Sequence, residues 1–365
     1  MDGAALIAEI LKIEETEFLS CYPRNPVIEE CTKRGIRPIL CRQERVGVGI
    51  ADGYTRIRRG KVNGVFAAQA GPGIENAFPG VAQAYSENVP ILILPGGMGS
   101  GRQYRHPTFS AVDVFAPVTK WSARASTVQE IPDLMRQAYH AMRTGKGGPV
   151  LLEIPQEVWD QDFDDELGYE PVRPYPLAPD PTAIAEAAKL LLEAKNPIIW
   201  AGQGVLYAEA SDAVIELAEL IPAPVMMTNP GKSAIPENHP LALGASTRSR
   251  PRMLSEFMDR ADLVFAIGSS LTITNFGPKV PPGKRIVHST NDPSDINKDY
   301  RADHAVIGDA KLVAEALIAE IKEQRGAVEE SAAQGLKDEV ASIKAAWLAD
   351  WNDHRTSGEV PINQY

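Results

Sequence analysis

Cysteine, histidine and aromatic side chains are all scarce in this 365-residue chain, which has 3 Cys, 6 His and an aromatic share of 7%. Cys21, Cys31 and Cys41 are an odd set with no Cys-x-x-Cys spacing. That excludes a disulfide framework and a paired-cysteine zinc site. Cys21 and Cys41 fall on expected strands, where a thiol packs as a small apolar group. The histidines are scattered and form no His-Glu-x-x-His, so no protein-only metal site is expected. No apolar run approaches the ~20 residues that span a bilayer, so no membrane partner is expected. Positive charge is also short, with 37 Lys and Arg against 48 Asp and Glu and a net charge of -11. No basic face is evident, which excludes a nucleic-acid partner. The one basic cluster, Arg56, Arg58, Arg59 and Lys61, ends an expected helix, where cations suit the helix dipole. Residues 1–17 read as an amphipathic helix carrying Glu9, Glu14, Glu15 and Glu17, unlike a signal peptide. The expected location is cytoplasmic.

What is present is a regular alternation. The length favours two α/β domains, each able to bury its own core. Continuous apolar runs at 18–22, 39–42, 65–69, 91–95 and 150–154 suit a parallel sheet buried on both faces. Helices are expected between them at 26–34, 44–59, 74–86 and 131–144. Residues 160–181 turn acidic and proline-rich, which blocks helix and central strand and leaves a stiff extended connector. A second series comes next, with strands at 198–202, 225–228, 263–268, 286–290 and 306–307 and helices at 208–220, 251–260 and 310–323. The fold class is therefore α/β, with two doubly wound, mainly parallel-sheet domains and a C-terminal helical extension. In that extension Leu336, Val340, Ile343 and Trp347 make a narrow apolar stripe suited to packing on a neighbouring surface.

Two motifs carry chemistry. In Arg42-Gln43-Glu44-Arg45-Val46-Gly47-Val48-Gly49-Ile50-Ala51-Asp52-Gly53, a carboxylate stands where a strand hands over to a helix rich in small residues. The bland reading of Glu44 is a favourable charge at a helix N-terminus. The sharper one starts from Gly47, Gly49, Ala51 and Gly53, whose glycines lose roughly 1 kcal/mol each in helix propensity. Such a helix is usually approached closely by another backbone or a ligand, and a carboxylate there can trade a proton with a heterocyclic nitrogen. The second motif, Gly71-Pro72-Gly73, is either a tight turn before a helix or a junction with reachable backbone groups.

The chain resembles the thiamine-diphosphate-dependent enzymes of the acetolactate synthase, 2-oxoacid decarboxylase and 2-hydroxyacyl-CoA lyase group. The resemblance rests on Glu44 followed by Ala51-Asp52-Gly53-Tyr54-x-Arg56, on Gly71-Pro72-Gly73-x-x-Asn76, and on Asn88-Val89-Pro90-Ile91. It continues through Pro117-Val118-Thr119-Lys120-Trp121 and Gly148-Pro149-Val150-Leu151-Leu152-Glu153-Ile154-Pro155. In the second half it rests on Gly202-Gln203-Gly204, Ile235-Pro236-Glu237-Asn238-His239-Pro240 and Gly308-Asp309-Ala310. The resemblance implies a pyrimidine-binding domain over residues 1–159, a linker over 160–181, a central domain over 182–325 and the extension over 326–365. It implies that Glu44 hydrogen-bonds the aminopyrimidine ring and activates the cofactor. Pro23, Gly71, Pro72, Gly73 and Asn76 are then cofactor-binding, and Gln103, Tyr104, His106 and Phe109, on the loop 97–110, are substrate candidates. The reaction implied makes or breaks a carbon–carbon bond next to a carbonyl, on a small 2-oxoacid or acyl-CoA-type substrate.

Departures from the pattern matter. Gln43 stands where the family often has His, Gln69-Ala70 where Thr-Ser is usual, and Cys21-Tyr22-Pro23-Arg24 where a Gly-x-Pro-Gly loop is common. These leave the substrate class open. Ser269-Ser270-Leu271 and Thr290 lack the Arg and Asp of flavin-holding members, so FAD is not expected. The family holds Mg²⁺ and the diphosphate through Gly-Asp-Gly or Gly-Asp-Ala with an asparagine partner downstream, and no such pair occurs here. The resemblance thus implies a partner chain, or a further C-terminal part, that carries the diphosphate-binding domain and the metal. Sites of this kind form between subunits, so a homo- or hetero-oligomer based on dimers or tetramers is expected. The alternative is a non-catalytic binding or regulatory protein that keeps the fold.

Overall fold

Two parallel sheets organise the computed structural model, which describes residues 1–365 except Tyr104, 248–250, Phe276, Pro278, 326–329 and Tyr365. The chain divides into two units, Met1–Tyr175 and Pro176–Tyr365. In the first, β1 (Phe18–Cys21), β2 (Arg37–Leu40), β3 (Gly64–Ala68), β4 (Ile91–Gly97), β5 (Trp121–Arg124) and β6 (Val150–Pro155) lie in the order β2-β1-β3-β4-β6-β5. Every pairing is parallel. The residues of β3 and β6 are all buried, as continuous apolar runs require of strands covered on both faces. Alternation along β3 splits the core: Val65 and Ala67 face the layer containing Leu6, Ile10, Met135 and Tyr139. Phe66 and Ala68 face the layer containing Val48, Ile74, Val81 and Phe115.

The second unit repeats this plan. Its strands β7 (Pro197–Ala201), β8 (Val225–Thr228), β9 (Ala242–Ser246), β10 (Leu263–Ile267), β11 (Arg285–Thr290) and β12 (His304–Ile307) run in the order β12-β11-β10-β7-β8-β9, all parallel. The helix Glu330–Asp350 packs its stripe of Leu336, Val340, Ile343 and Trp347 on a core holding Met253, Phe257 and Met258. Glu339 on the same helix pairs with Arg260.

Two strands give no clear sequence signal. Trp121–Arg124 is an edge strand, half-buried along its length, so it shows no continuous apolar run. Ala242–Ser246 is an edge strand of the second sheet and carries a register irregularity against Val225 and Met226. The helix expected over 208–220 begins only at Ser211 and runs to Leu220; a further short helix, Gln203–Tyr207, precedes it, and between them Glu209 has a φ of 52° in the left-handed region.

The proline-rich stretch carries no helix before Pro181, which opens the helix Pro181–Glu193, and its first part is strapped to the first unit. Phe163 and Tyr169 are buried there. Glu14, buried at the end of the first helix, accepts hydrogen bonds from Arg143 Nη1 (2.6 Å), Tyr169 Oη (2.7 Å) and Val172 N (3.1 Å). Glu14 is therefore the centre of a buried network and not part of the polar face that the helical pattern assigns it. Cys21, Cys31 and Cys41 are all free thiols, and burial pushes Cys21 up to about 11 and Cys31 up to about 12. Thiols so displaced are protonated at neutral pH and pack as apolar groups. Among the described residues no helix is long and apolar enough to cross a membrane.

Among the described residues of the second unit, two buried polar atoms, Trp200 Nε1 and Ser289 Oγ, have no hydrogen-bond partner. Ser289 Oγ is buried on β11 between Ile267 and Val306 and makes no hydrogen bond. An unsatisfied buried hydroxyl is unfavourable by about 1–3 kcal/mol. Ser289→Ala should therefore hold or raise stability, by about 1 kcal/mol in urea unfolding, and a clear loss would show that the hydroxyl is satisfied.

Candidate active site

The site begins where β2 ends. Gln43 adopts an extended conformation (φ -148°, ψ 144°) and caps the helix Glu44–Ile57 without a side-chain hydrogen bond. Glu44 is the acid of the first turn and is only 6% exposed. Its carboxylate is held from the neighbouring helix Pro72–Ser86, where Asn76 Nδ2 donates to Glu44 Oε2 at 2.5 Å. Arg45 Nη2 lies 3.5 Å from the Oδ1 of the same Asn76. The other carboxylate oxygen faces Gly73, where an added Cβ would sit 3.5 Å from Glu44 Oε1 and 2.5 Å from Gln69 Cγ. Gly71 enters this turn at φ 66°, a conformation that glycine adopts without strain, and Pro72 opens the helix.

Small residues set this geometry. A Cβ on Gly47 would meet the Phe66 ring at 2.4 Å, one on Gly64 would meet Ala51 O at 2.2 Å, and one on Gly80 would meet Val48 at 2.9 Å. The helix bearing Glu44 is thereby seated directly on β3 and against the helix bearing Asn76. Gly49 and Gly53 have nothing within 4 Å. The expectation of close approach therefore holds at Gly47 and Ala51 and fails, within this chain, at the other two glycines.

Pro23 lies in the loop after β1, exposed beside Arg24. That loop is fixed by Asn25, which is buried and donates through Nδ2 to Ala68 O (3.0 Å) and Leu94 O (2.9 Å). The structure thus brings Glu44, Gly73 and Asn76 into contact and puts Pro23 on an adjacent loop at the same sheet edge. Gln103, His106 and Phe109 lie in the segment after β4, and Tyr104 falls outside the described residues. Phe109 lines an open groove with Glu75, Phe78, Pro79 and Val114, so it packs beside the helix that carries Asn76.

A network that sequence reasoning missed anchors that segment. Glu153 is buried near the end of β6, where its Oε2 accepts from Ala111 N at 2.9 Å and its Oε1 accepts from Arg124 Nη1. Arg124 Nη2 also donates to Met98 O, and a Cβ on Gly97 would lie 2.6 Å from Glu153 Oε1. Glu157, on the short helix Gln156–Trp159, accepts from Ser100 N at 2.6 Å. Both ends of the segment 98–111 are thereby fastened to β6 and to the helical turn after it. The signal was available: Glu153 is the one charge inside the apolar run 150–154.

Burial raises the Glu153 carboxyl above the ordinary carboxylate range, opposed by Arg124 and the Ala111 N–H. A carboxyl raised in the folded state stabilises below its unfolded value, and that contribution is lost as pH climbs through the folded value. The stability of Glu153→Gln relative to wild type should therefore improve as pH rises out of the carboxylate range; a difference that worsens would contradict the assignment. Glu153→Ala should also speed tryptic cleavage at Arg102 and Arg105 by at least about tenfold, since a lost buried charge-assisted bond contributes about 1.5–3 kcal/mol. Unchanged cleavage would show that the segment is held by other means.

Comparison with known proteins bears on what this geometry serves. The family described as "Thiamine pyrophosphate enzyme, N-terminal TPP binding domain" matches residues 1–116, and "Thiamine pyrophosphate enzyme, central domain" matches residues 184–317. A probable acetolactate synthase large subunit of Methanocaldococcus jannaschii is 32% identical over 337 residues, covering 87% of this chain and 56% of that protein. Glyoxylate carboligase of Escherichia coli O157:H7 is 32% identical over 312 residues, covering 83% of this chain and 52% of that protein. The crystal structure of benzoylformate decarboxylase from Polynucleobacter necessarius superposes with a TM-score of 0.74 at 23% identity, over 88% of this chain and 61% of that one, a likeness of fold. The chain spans a little over half the length of these curated relatives. It belongs to the thiamine pyrophosphate enzyme family and carries that family's N-terminal and central domains.

Proposed function

We propose that this chain is the component of a thiamine-diphosphate-dependent enzyme that supplies the cofactor-activating carboxylate, Glu44, to a site completed by a diphosphate- and Mg²⁺-binding domain elsewhere. The observation that carries this reading is the state of that carboxylate. It is buried to 6% exposure and held by Asn76 through one oxygen, while the other lies toward Gly73 and the Gln69 side chain packed against that glycine. A buried carboxylate with one oxygen tied to an amide and the other unbonded suits pairing with a nitrogen heterocycle, which can use the second oxygen.

When bound, the cofactor supplies the electron sink for cleaving or forming a carbon–carbon bond next to a carbonyl. The chain's own residues supply position and proton control. Glu44 would hold or return a proton at a ring nitrogen, while Asn76 keeps the carboxylate from rotating away. Gly71, Pro72 and Gly73 form the turn beside the carboxylate, and Pro23 borders the same edge. Gln103, His106 and Phe109, with Tyr104, belong to the segment that borders the substrate, and the anchors Glu153 and Glu157 hold that segment in place. The glyoxylate carboligase and acetolactate synthase relatives support a small 2-oxoacid substrate, and the words "large subunit" in the name of the second support an enzyme of more than one chain.

The test is reconstitution. The chain mixed with a separately produced diphosphate-binding chain, thiamine diphosphate and Mg²⁺ should consume a 2-oxoacid, and neither chain should do so alone. Full activity from this chain alone would contradict the shared site.

A further inference from the structure

We infer that the loops at the carboxyl edge of the first sheet form an oxyanion receptor centred on Arg24. It would take a substrate that bears a second anionic group, carboxylate or phosphonate, away from the reacting carbonyl. The inference rests on the reading of Glu44 as the reaction site and deepens it by naming the substrate class.

Three observations carry it. The first is charge. In a chain of net charge -11, the edge around Glu44 carries Arg24 after β1, Arg42 after β2, Arg45 on the first helical turn, and Arg102 and Arg105 after β4. All five are exposed. The sheet order β2-β1-β3-β4 sets two of these loops on one side of the Gly71–Gly73 turn and the third on the other. The acids of this edge are already engaged or few: Glu44 is bonded to Asn76, Glu153 to Arg124 and Glu157 to Ser100, which leaves Glu75 and Asp113.

The second observation is pairing. Elsewhere in this unit most arginines are paired, Arg34 with Glu9 and Glu30, Arg56 with Asp52, Arg58 with Glu17 and Arg143 with Glu14, although Arg37, Arg59 and Arg173 also have no acid among the described residues. Among the described residues, Arg24, Arg42, Arg102 and Arg105 have no such acid. Guanidinium groups on loops of one sheet edge without carboxylate partners favour binding an oxyanion, which a guanidinium holds in bidentate fashion.

The third is strain. Arg24 sits at φ 74°, in the left-handed region that glycine occupies freely and arginine does not. Its loop is pinned from beneath by the buried Asn25, so the strain is imposed by the surroundings. A glycine would keep the same chain path without strain, and the side chain is what the arginine adds.

Binding of small oxyanions to the full chain, without cofactor, tests this directly. The probes are 2-oxobutanoate, with one carboxylate, 2-oxoglutarate, with two, 3-phosphonopyruvate and inorganic pyrophosphate. The two doubly anionic oxoacids should bind at least about tenfold tighter than 2-oxobutanoate at low salt, with the margin shrinking as salt screens the arginines. Arg24→Gly should erase that margin while raising Tm, because it relieves the strain. Arg59→Gly, at φ 53° beyond the other end of the helix, is the control: it should also relieve strain but keep the margin. Equal binding of the one- and two-charge oxoacids, or a margin that survives Arg24→Gly, would overturn the proposal. Binding of pyrophosphate alone that depends on Arg24 would overturn it too, by assigning the arginines to a diphosphate. No outcome here depends on Glu44, so failure of the receptor and failure of the proposed Glu44 role remain distinguishable.

Discussion

Glu44→Gln is expected to lower the kcat of the reconstituted enzyme by about 10²–10⁴-fold, the usual range for a positioned acid–base group. The substitution keeps the shape of the side chain and its oxygen can still accept from Asn76, so the fold should be retained. What disappears is the charge and the ability to take and return a proton. The loss should therefore fall on kcat with KM changed by only a few fold, as for an interaction made chiefly in the transition state. Asn76→Ala should give a smaller loss of the same kind, because the carboxylate stays but loses the bond that orients it. Full activity of Glu44→Gln would mean that the burial of this carboxylate serves packing alone.

The largest stability effect is expected at Arg143. Its guanidinium donates to Glu14 Oε2, to Asn63 Oδ1 and to Val172 O, and it lies over the Tyr139 ring with 4.6 Å to the centroid. The Glu14 side chain is only 1% exposed. Arg143→Met removes one partner of a buried pair and leaves the other uncompensated, which is unfavourable by about 3–5 kcal/mol. In a unit of this size each kcal/mol shifts Tm by about 2–4 °C, so the fall should be roughly 6–20 °C. Glu14→Gln combined with Arg143→Met should recover part of it, since the stranded charge is gone. A fall within the range of ordinary surface substitutions would show that water reaches Glu14.

Much of this was legible in the chain. Buried parallel strands announce themselves as unbroken apolar runs, which is why β3, β4, β6, β7 and β10 fall where 65–69, 91–95, 150–154, 198–202 and 263–268 point. The edge strands β5 and β9 did not, because an edge is buried only in part and its side chains are chosen accordingly. Glu44 stood out by its place before a glycine-rich helix. Its tie to Asn76 spans 32 residues and depends on how two helices are seated, which no local pattern encodes. The anchors Glu153, Asn25 and Glu14 were hidden for a related reason. Each is one polar residue in or beside a regular element, and its main partners lie from 29 to 158 residues away. Gly49 and Gly53 mark the reverse limit: local composition signalled close approach, and the folded chain leaves them open.

The shared site is tested most directly by titrating the full chain with thiamine diphosphate and Mg²⁺ in a calorimeter, first alone and then with the diphosphate-binding chain. The account predicts weak or undetectable binding by this chain alone and tight, Mg²⁺-dependent binding by the mixture. Micromolar binding of the cofactor by this chain without a partner would contradict it.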